Sequence, residues 1–165
     1  MEFNIPLDLL TSKKLQAILK SFSGKDFPVL TSDLLEQLSF APVRGYMKGF
    51  IDLIFSFQSR YYLVDWKSNY LGDSLNDYAT ERLAEIMWKE WYVVQYLLYS
   101  VALHRFLNFR LKDYQYERHF GGVFYVFLRG VSSQHDPEVG IYRDLPPASL
   151  VRALSSCLHH PQSLL

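Results

Sequence analysis

Two apolar segments of the chain, residues 50–55 and 61–66, each contain a single aspartate, Asp52 in the first and Asp65 in the second. Their aromatic and β-branched side chains predict two strands, and the polar residues 58–60 between them predict a hairpin turn. Nearly continuous apolar runs are typical of interior strands that are covered on both faces. Because a carboxylate buried in such a strand is costly unless another group pairs with it or a cation binds it, both aspartates are candidate functional residues.

The second segment adds a lysine two positions after its aspartate. On a strand, Asp65 and Lys67 project from the same face while Trp66 points to the other. If the two segments pair, Asp52 joins them from the neighbouring strand. Metal-assisted hydrolysis of a phosphodiester uses these groups, because carboxylates bind a hard divalent cation and an ammonium orients or deprotonates water. An exposed Asp–Lys ion pair of little energetic weight is the alternative interpretation of the same spacing.

The bulk composition indicates a single, well-packed domain. Of the 165 residues, 49% are hydrophobic and 16% aromatic, which is ample for a core. The 17 basic and 17 acidic side chains cancel, so the chain lacks the global positive charge of many nucleic-acid-binding proteins. The lone Cys157 fits a reducing compartment. The longest apolar stretch, residues 91–103, is too short to span a bilayer, so we expect a soluble, cytoplasmic protein without a membrane partner.

The order of predicted elements indicates an α/β fold with a small mixed sheet flanked by helices. In the first part of the chain we expect a short strand over residues 1–6 that Pro6 ends, then helix with breaks over residues 7–38. The breaks include a turn at residues 23–25 and a cap at Thr31 or Ser32. We place the hairpin within residues 42–65. After it, the pattern predicts a loop over residues 69–80, a long helix over residues 81–110 and a strand over residues 121–128. An irregular stretch over residues 131–147 and a last helix over residues 148–158 follow.

Several short blocks of sequence follow one another in order between residues 1 and 154. They are Met47-Lys48-Gly49-Phe50-Ile51-Asp52-Leu53, Asp65-Trp66-Lys67-Ser68-Asn69, Gln95-x-x-x-Tyr99, Ala102-Leu103-His104-Arg105, His119-Phe120-Gly121-Gly122 and Phe127-Leu128-Arg129-Gly130-Val131. Together these blocks resemble the PD-(D/E)xK nuclease superfamily, in the form carried by the C-terminal nuclease domain of RecB. RecB is the beta subunit of bacterial exodeoxyribonuclease V, the RecBCD helicase–nuclease.

The resemblance implies a restriction-endonuclease-like fold and an Mg²⁺-dependent DNA exonuclease that acts in double-strand-break repair and recombination. It implies that Asp52 and Asp65 hold Mg²⁺, with the backbone carbonyl of Trp66 as a further ligand. Lys67 would position the attacking water and offset charge on the scissile phosphate.

The resemblance also assigns catalytic roles to Gln95 and Tyr99. The two residues are four apart on one helix face, where both could reach the edge of the active site or the DNA backbone. The implied substrates are linear double-stranded and single-stranded DNA. The implied partners are the RecC and RecD subunits, with RecA as a further candidate.

The sequence departs from the family pattern in two places. The residue between the acid and the lysine is usually Tyr and is Trp66 here; we expect the change to be tolerated because its side chain faces away. The family also has a metal-binding His on a helix upstream of the first strand, and no residue here matches it. We therefore expect residues 1–165 to be a fragment of a RecB-type nuclease domain, lacking that helix and the helicase domains. No Walker-type glycine loop occurs, so helicase and ATP-binding functions would lie elsewhere.

Two other functions fit parts of the pattern. A catalytically weak, nuclease-like module could bind DNA or a partner protein, although such a module has no reason to retain Asp52, Asp65 and Lys67 together. A junction resolvase of the same superfamily would share the acid–acid–lysine set. The RecB-like blocks outside that set argue against a resolvase.

Overall fold

The structure is a computed structural model, and it describes residues 1–22, 32–134 and 136–158. The predicted turn at residues 23–25 and a cap at Thr31 lie outside the described residues. The strands are β1 Glu2–Leu10, β2 Val43–Phe50, β3 Leu53–Phe57, β4 Arg60–Lys67, β5 Phe120–Phe127 and β6 Ile141–Asp144. The helices are α1 Ser12–Phe22, α2 Ser32–Gln37, α3 Thr80–Lys89, α4 Tyr92–Arg110, α5 Tyr116–His119 and α6 Ala148–Cys157, with a 3-10 turn at Leu75–Tyr78.

A four-stranded mixed sheet is the centre of the fold. Its strand order is β3-β4-β5-β6, with antiparallel outer pairs and a parallel pair at the centre. The connection from β4 to β5 contains the 3-10 turn, α3, α4 and α5, because parallel neighbours need a long crossover. The predicted α/β class, with a small mixed sheet flanked by helices as in restriction-endonuclease-like folds, is confirmed.

β1 and β2 form a separate antiparallel ribbon. The prediction that Pro6 ends the first strand is wrong, since β1 continues to Leu10 and Pro6 lies opposite Tyr46. A two-stranded ribbon has only edge strands, and an edge position tolerates a residue without an N–H group. Alternate residues of β1 are buried, including Leu7, so this stretch follows the period of a strand and the predicted helix begins only at Ser12.

The predicted hairpin forms between β3 and β4, with Gln58 and Ser59 in its turn. The prediction that both of its strands are covered on both faces is wrong for β3. This strand lies at the sheet edge, and Leu53, Phe55 and Phe57 are exposed. On that open face Phe55 stacks on Tyr62, with 5.0 Å between ring centroids, so the apolar sequence reflects an aromatic surface cluster.

The long helix predicted over residues 81–110 is two helices, α3 and α4. Trp91 separates them in the left-handed conformation, with φ 59° and ψ 19°. Helices often end at a left-handed residue, normally Gly or Asn, and Trp gives no such signal in the sequence. The four-residue strand β6 was also missed, because its sequence lies in a stretch rich in polar residues, Gly and Pro.

The hydrophobic core lies between the sheet and the helices. α4 contributes seven buried hydrophobic residues, and α6 packs against both α4 and α1. The inner face of the sheet contributes Leu63, Val123, Tyr125, Phe127 and Tyr142 to the same cluster. No helix in the described ranges is long and apolar enough to cross a membrane.

The hairpin turn provides a test of the fold. Gln58 and Ser59 have φ values of 47° and 63°, a region in which a side chain costs about 1 kcal/mol and glycine costs nothing. We expect Ser59→Gly to raise the free energy of unfolding by about 1 kcal/mol, measured by urea denaturation. Ser56→Gly, in the adjoining strand β3, is the matched control and should lower it by roughly 0.5–1 kcal/mol. Destabilisation by Ser59→Gly would contradict the turn geometry.

Candidate active site

Strand β4 brings the predicted acid and lysine together. Asp65 and Lys67 lie on its inner face, and the Lys67 Nζ is 2.6 Å from an Asp65 carboxylate oxygen. Trp66 lies on the opposite face, where 46% of it is exposed. The alternation predicted from the sequence is therefore confirmed, and the ion pair is buried rather than solvated, since Asp65 is only 6% exposed.

Burial and two neighbouring charges shift the pKa of the Asp65 carboxyl. Removal from water raises the pKa of this carboxyl above its ordinary value, and the nearby negative charge of Asp52 raises it further. The hydrogen bond and positive charge of Lys67 act in the opposite direction. Lys67 occupies one side of the carboxylate, and the other side remains available to a further ligand.

Asp52 approaches the same site from the junction between β2 and β3. It is not in a strand, and it is exposed, so the prediction that this carboxylate is buried in an apolar strand is wrong. Its Oδ2 accepts a hydrogen bond from the backbone N–H of Trp66 at 3.0 Å. This bond holds Asp52 against the backbone next to Asp65, while its exposure leaves oxygen lone pairs free for another ligand.

Aromatic rings and an amide surround the ammonium of Lys67. Gln95 Oε1 accepts a hydrogen bond from the Lys67 Nζ at 3.0 Å. The same Nζ lies 3.8 Å from the ring centroid of Tyr92 and 5.0 Å from that of Tyr125. Ring faces attract cations, so these contacts restrict the position of the lysine ammonium.

Gln95 connects the helix to the sheet. Besides Lys67, its Oε1 accepts a hydrogen bond from the Tyr125 hydroxyl at 3.0 Å, and its Nε2 donates to the Tyr99 hydroxyl at 2.9 Å. Gln95 and Tyr99 are on the same face of α4, four residues apart. The structure therefore places both predicted helix residues beside the acid–lysine pair.

Tyr99 is half-buried at the border between the helix and the ribbon. Its ring meets Phe3 edge-on, with 5.7 Å between ring centroids. Burial raises the pKa of its hydroxyl, and the negative charges of Asp65 and Asp52 raise it further, whereas the Gln95 hydrogen bond lowers it. Tyr99 therefore remains a neutral hydrogen-bonding group at the edge of the site.

Sequence reasoning missed Tyr92 and Tyr125 as members of this site. Tyr92 precedes Gln95 by three residues, so the helical period could have placed it on the same face. Tyr125 is opposite Asp65 in the parallel pairing of β4 and β5. No local signal in the sequence gives that register, because the two strands are joined by a long crossover.

The donor set suits a hard divalent cation that keeps several waters. Within the part of the chain that the structure describes, no group of three or more His, Cys, Asp or Glu side chains comes together. Asp52 and Asp65 supply two carboxylates, and Mg²⁺ is commonly bound by one or two carboxylates with water and substrate phosphate completing its shell. The residues present therefore fit Mg²⁺.

Comparison with known proteins identifies the relatives of this chain. No protein-family model matches it. It is 44% identical over 152 residues to the RecBCD enzyme subunit RecB of Escherichia coli, an alignment of 92% of this chain and 12% of that subunit. It is 45% identical over 119 residues to RecB of Haemophilus influenzae, covering 72% of this chain and 10% of that protein.

RecB of Mycobacterium tuberculosis is 46% identical over 123 residues, which is 71% of this chain and 11% of that subunit. The chain thus spans about an eighth of the length of the relatives that it matches, 12% for Escherichia coli RecB. The resemblance drawn from the sequence blocks is confirmed: the chain belongs to the RecB family.

Proposed function

We propose that this chain is an Mg²⁺-dependent DNA exonuclease domain of a RecBCD-type enzyme, a hydrolase of the exodeoxyribonuclease V type. The observation that carries the proposal is the convergence of Asp52, Asp65 and Lys67 at the Trp66 backbone, by a 3.0 Å hydrogen bond and a 2.6 Å ion pair. A solvated surface ion pair does not account for a carboxylate that is buried beside a second carboxylate and a lysine.

Each residue has a separate part in the proposed hydrolysis. Asp52, Asp65 and the Trp66 carbonyl would hold the cation. When bound, Mg²⁺ supplies a Lewis acid for the scissile phosphate and lowers the pKa of a bound water. Lys67 would orient that water and offset the charge that develops as its oxygen bonds to phosphorus and the bond to the leaving oxygen breaks.

Gln95 would act as a positioning residue. It accepts the Lys67 Nζ and the Tyr125 hydroxyl on the same oxygen, so it fixes the ammonium relative to the sheet. Tyr99 supports the amide from the next helical turn and presents a neutral hydroxyl toward the carboxylates.

The biological setting follows from the family. We propose linear double-stranded and single-stranded DNA as substrates, RecC and RecD as partner subunits, and RecA as a further partner, in double-strand-break repair and recombination. We further propose that residues 1–165 are the nuclease part of a longer RecB-type polypeptide. Since the chain carries no net charge, basic groups of the partner subunits would complete the DNA path.

Metal binding is the first test. We expect Asp52→Ala and Asp65→Ala each to weaken Mg²⁺ binding at least about tenfold in isothermal titration without DNA, because each removes a ligand oxygen. Asp113→Ala, in the exposed connection after α4, is the matched control and should bind like the parent. Parental affinity in both site variants would refute the metal assignment and favour the nuclease-like binding module.

Cleavage is the second test. In the native enzyme with the subunits that copurify with it, Lys67→Ala should lower the rate of linear duplex degradation by roughly 100- to 1,000-fold, the usual cost of one transition-state donor. Its Mg²⁺ affinity should stay close to that of the parent, because the lysine acts on water and phosphate. Lys112→Ala, at an exposed position after α4, should cleave normally. Degradation at the parental rate by the Lys67 variant would exclude a catalytic role.

A double-mutant cycle tests the positioning role of Gln95. We expect Gln95→Leu to lower the free energy of unfolding by about 1–3 kcal/mol, because it leaves the buried Tyr125 hydroxyl without an acceptor. Tyr125→Phe in the same background removes that unsatisfied group. The double variant should therefore lose less unfolding free energy than the sum of the losses in the two single variants. If the losses of unfolding free energy, measured by urea denaturation, are strictly additive, the two side chains are not coupled.

A further inference from the structure

A shallow open pocket lies beside the candidate active site, past the end of β4. Its volume is about 210 Å³. Tyr70 and Arg129 line it together with Gly72, Asp73 and Tyr78. None of these residues takes part in the hydrogen-bond network around Lys67.

Two backbone contacts fix the position of Arg129 relative to the catalytic lysine. The N–H of Leu128 donates to the carbonyl of Lys67 at 2.9 Å, and the Nε of Arg129 donates to the carbonyl of Ser68 at 3.1 Å. The side chain is therefore held one residue beyond Lys67 along the chain, at the same end of the sheet.

The rest of the Arg129 guanidinium is available to a ligand. Its terminal nitrogens make no hydrogen bond or ion pair within the described ranges, whereas Arg82, Arg143 and Arg152 are each paired with a glutamate. Arg129 is also exposed. A planar guanidinium that is oriented by one backbone contact and has unused donors is suited to a phosphate.

An exposed aromatic ring stands next to this cation. The Tyr70 ring centroid is 5.9 Å from the Arg129 Cζ, and Tyr70 is 61% exposed. Asp73 beside its hydroxyl and partial burial raise the pKa of Tyr70, so the phenol stays neutral. A neutral, solvent-facing ring beside an arginine is the combination that binds single-stranded nucleic acid, by stacking a base and contacting its backbone.

We propose that Tyr70 and Arg129 form a nucleotide subsite that holds the residue of the DNA strand next to the scissile phosphodiester. Arg129 binds its phosphate and Tyr70 stacks on its base. The inference rests on the proposed nuclease function and assigns two substrate-binding residues to it. Acidic Asp73 lies on the Tyr70 side of the pocket, so the phosphate belongs at the Arg129 side and the base at the ring.

The test uses Tyr70→Ala and Arg129→Ala in the native enzyme with its copurifying subunits. Binding of a labelled single-stranded oligonucleotide is measured by fluorescence anisotropy in EDTA, and cleavage of the same oligonucleotide by steady-state kinetics with Mg²⁺. We expect each variant to raise Kd and KM roughly tenfold, within the range for losing one stacked base or phosphate contact, with kcat nearly unchanged. Tyr70→Phe should behave like the parent, because stacking needs only the ring, and Arg129→Lys should recover part of the affinity.

The chain offers a matched control. Arg110 lies over the ring of Phe106 at 5.6 Å from its centroid, also as an exposed arginine–aromatic pair. It is at the far end of α4, about 22 Å along the helix from Gln95. Arg110→Ala and Phe106→Ala should leave Kd, KM and kcat unchanged.

The possible outcomes separate the subsite from the nuclease function. If the parent cleaves DNA and both alanine variants keep its KM, or lose kcat at an unchanged KM, the subsite is wrong and the nuclease function stands. If the parent binds but does not cleave with Mg²⁺, while both variants bind more weakly than the controls, the nuclease function is wrong and the subsite stands as a DNA-binding site.

Discussion

The ion pair between Asp65 and Lys67 lies where β4, β5 and α4 meet, and the geometry of the site depends on it. The pair joins two residues of β4. Gln95 of α4 accepts a hydrogen bond from Lys67, and Tyr125 of β5 donates to the same Gln95 oxygen, so the helix and the next strand are connected to the pair. A buried pair of this kind contributes little net stability, because the loss of hydration offsets the attraction between the charges. Its retention in the interior is therefore better explained by the chemistry it allows than by the stability of the fold.

The site combines one buried carboxylate with one exposed carboxylate, and the two environments have different consequences. Burial raises the pKa of Asp65, and the positive charge of Lys67 beside it acts in the opposite direction. Asp52 faces water, and its carboxylate accepts a hydrogen bond from the Trp66 N–H. A bound divalent cation would relieve the repulsion between the two carboxylates, so metal affinity and the protonation of Asp65 are linked.

The period-2 pattern was sufficient to predict the β3–β4 hairpin and the shared face of Asp65 and Lys67, because both are local properties of a strand. The resemblance of short blocks added Gln95, which lies far along the chain. Tyr125 could not be predicted, since its place opposite Asp65 depends on register across a long crossover. The break at Trp91 was missed because the residue there is not one that usually adopts a left-handed conformation.

Ile51 and Asp52 are the two residues that connect β2 to β3, and so they link the two-stranded ribbon to the four-stranded sheet. Ile51 is anchored in the core, whereas Asp52 belongs to neither ladder of strand hydrogen bonds. The Asp52 carboxylate is nevertheless held at β4 by the Trp66 N–H. The end of the ribbon and the position of this carboxylate are therefore set together, so the connection between the two sheets is itself part of the candidate site.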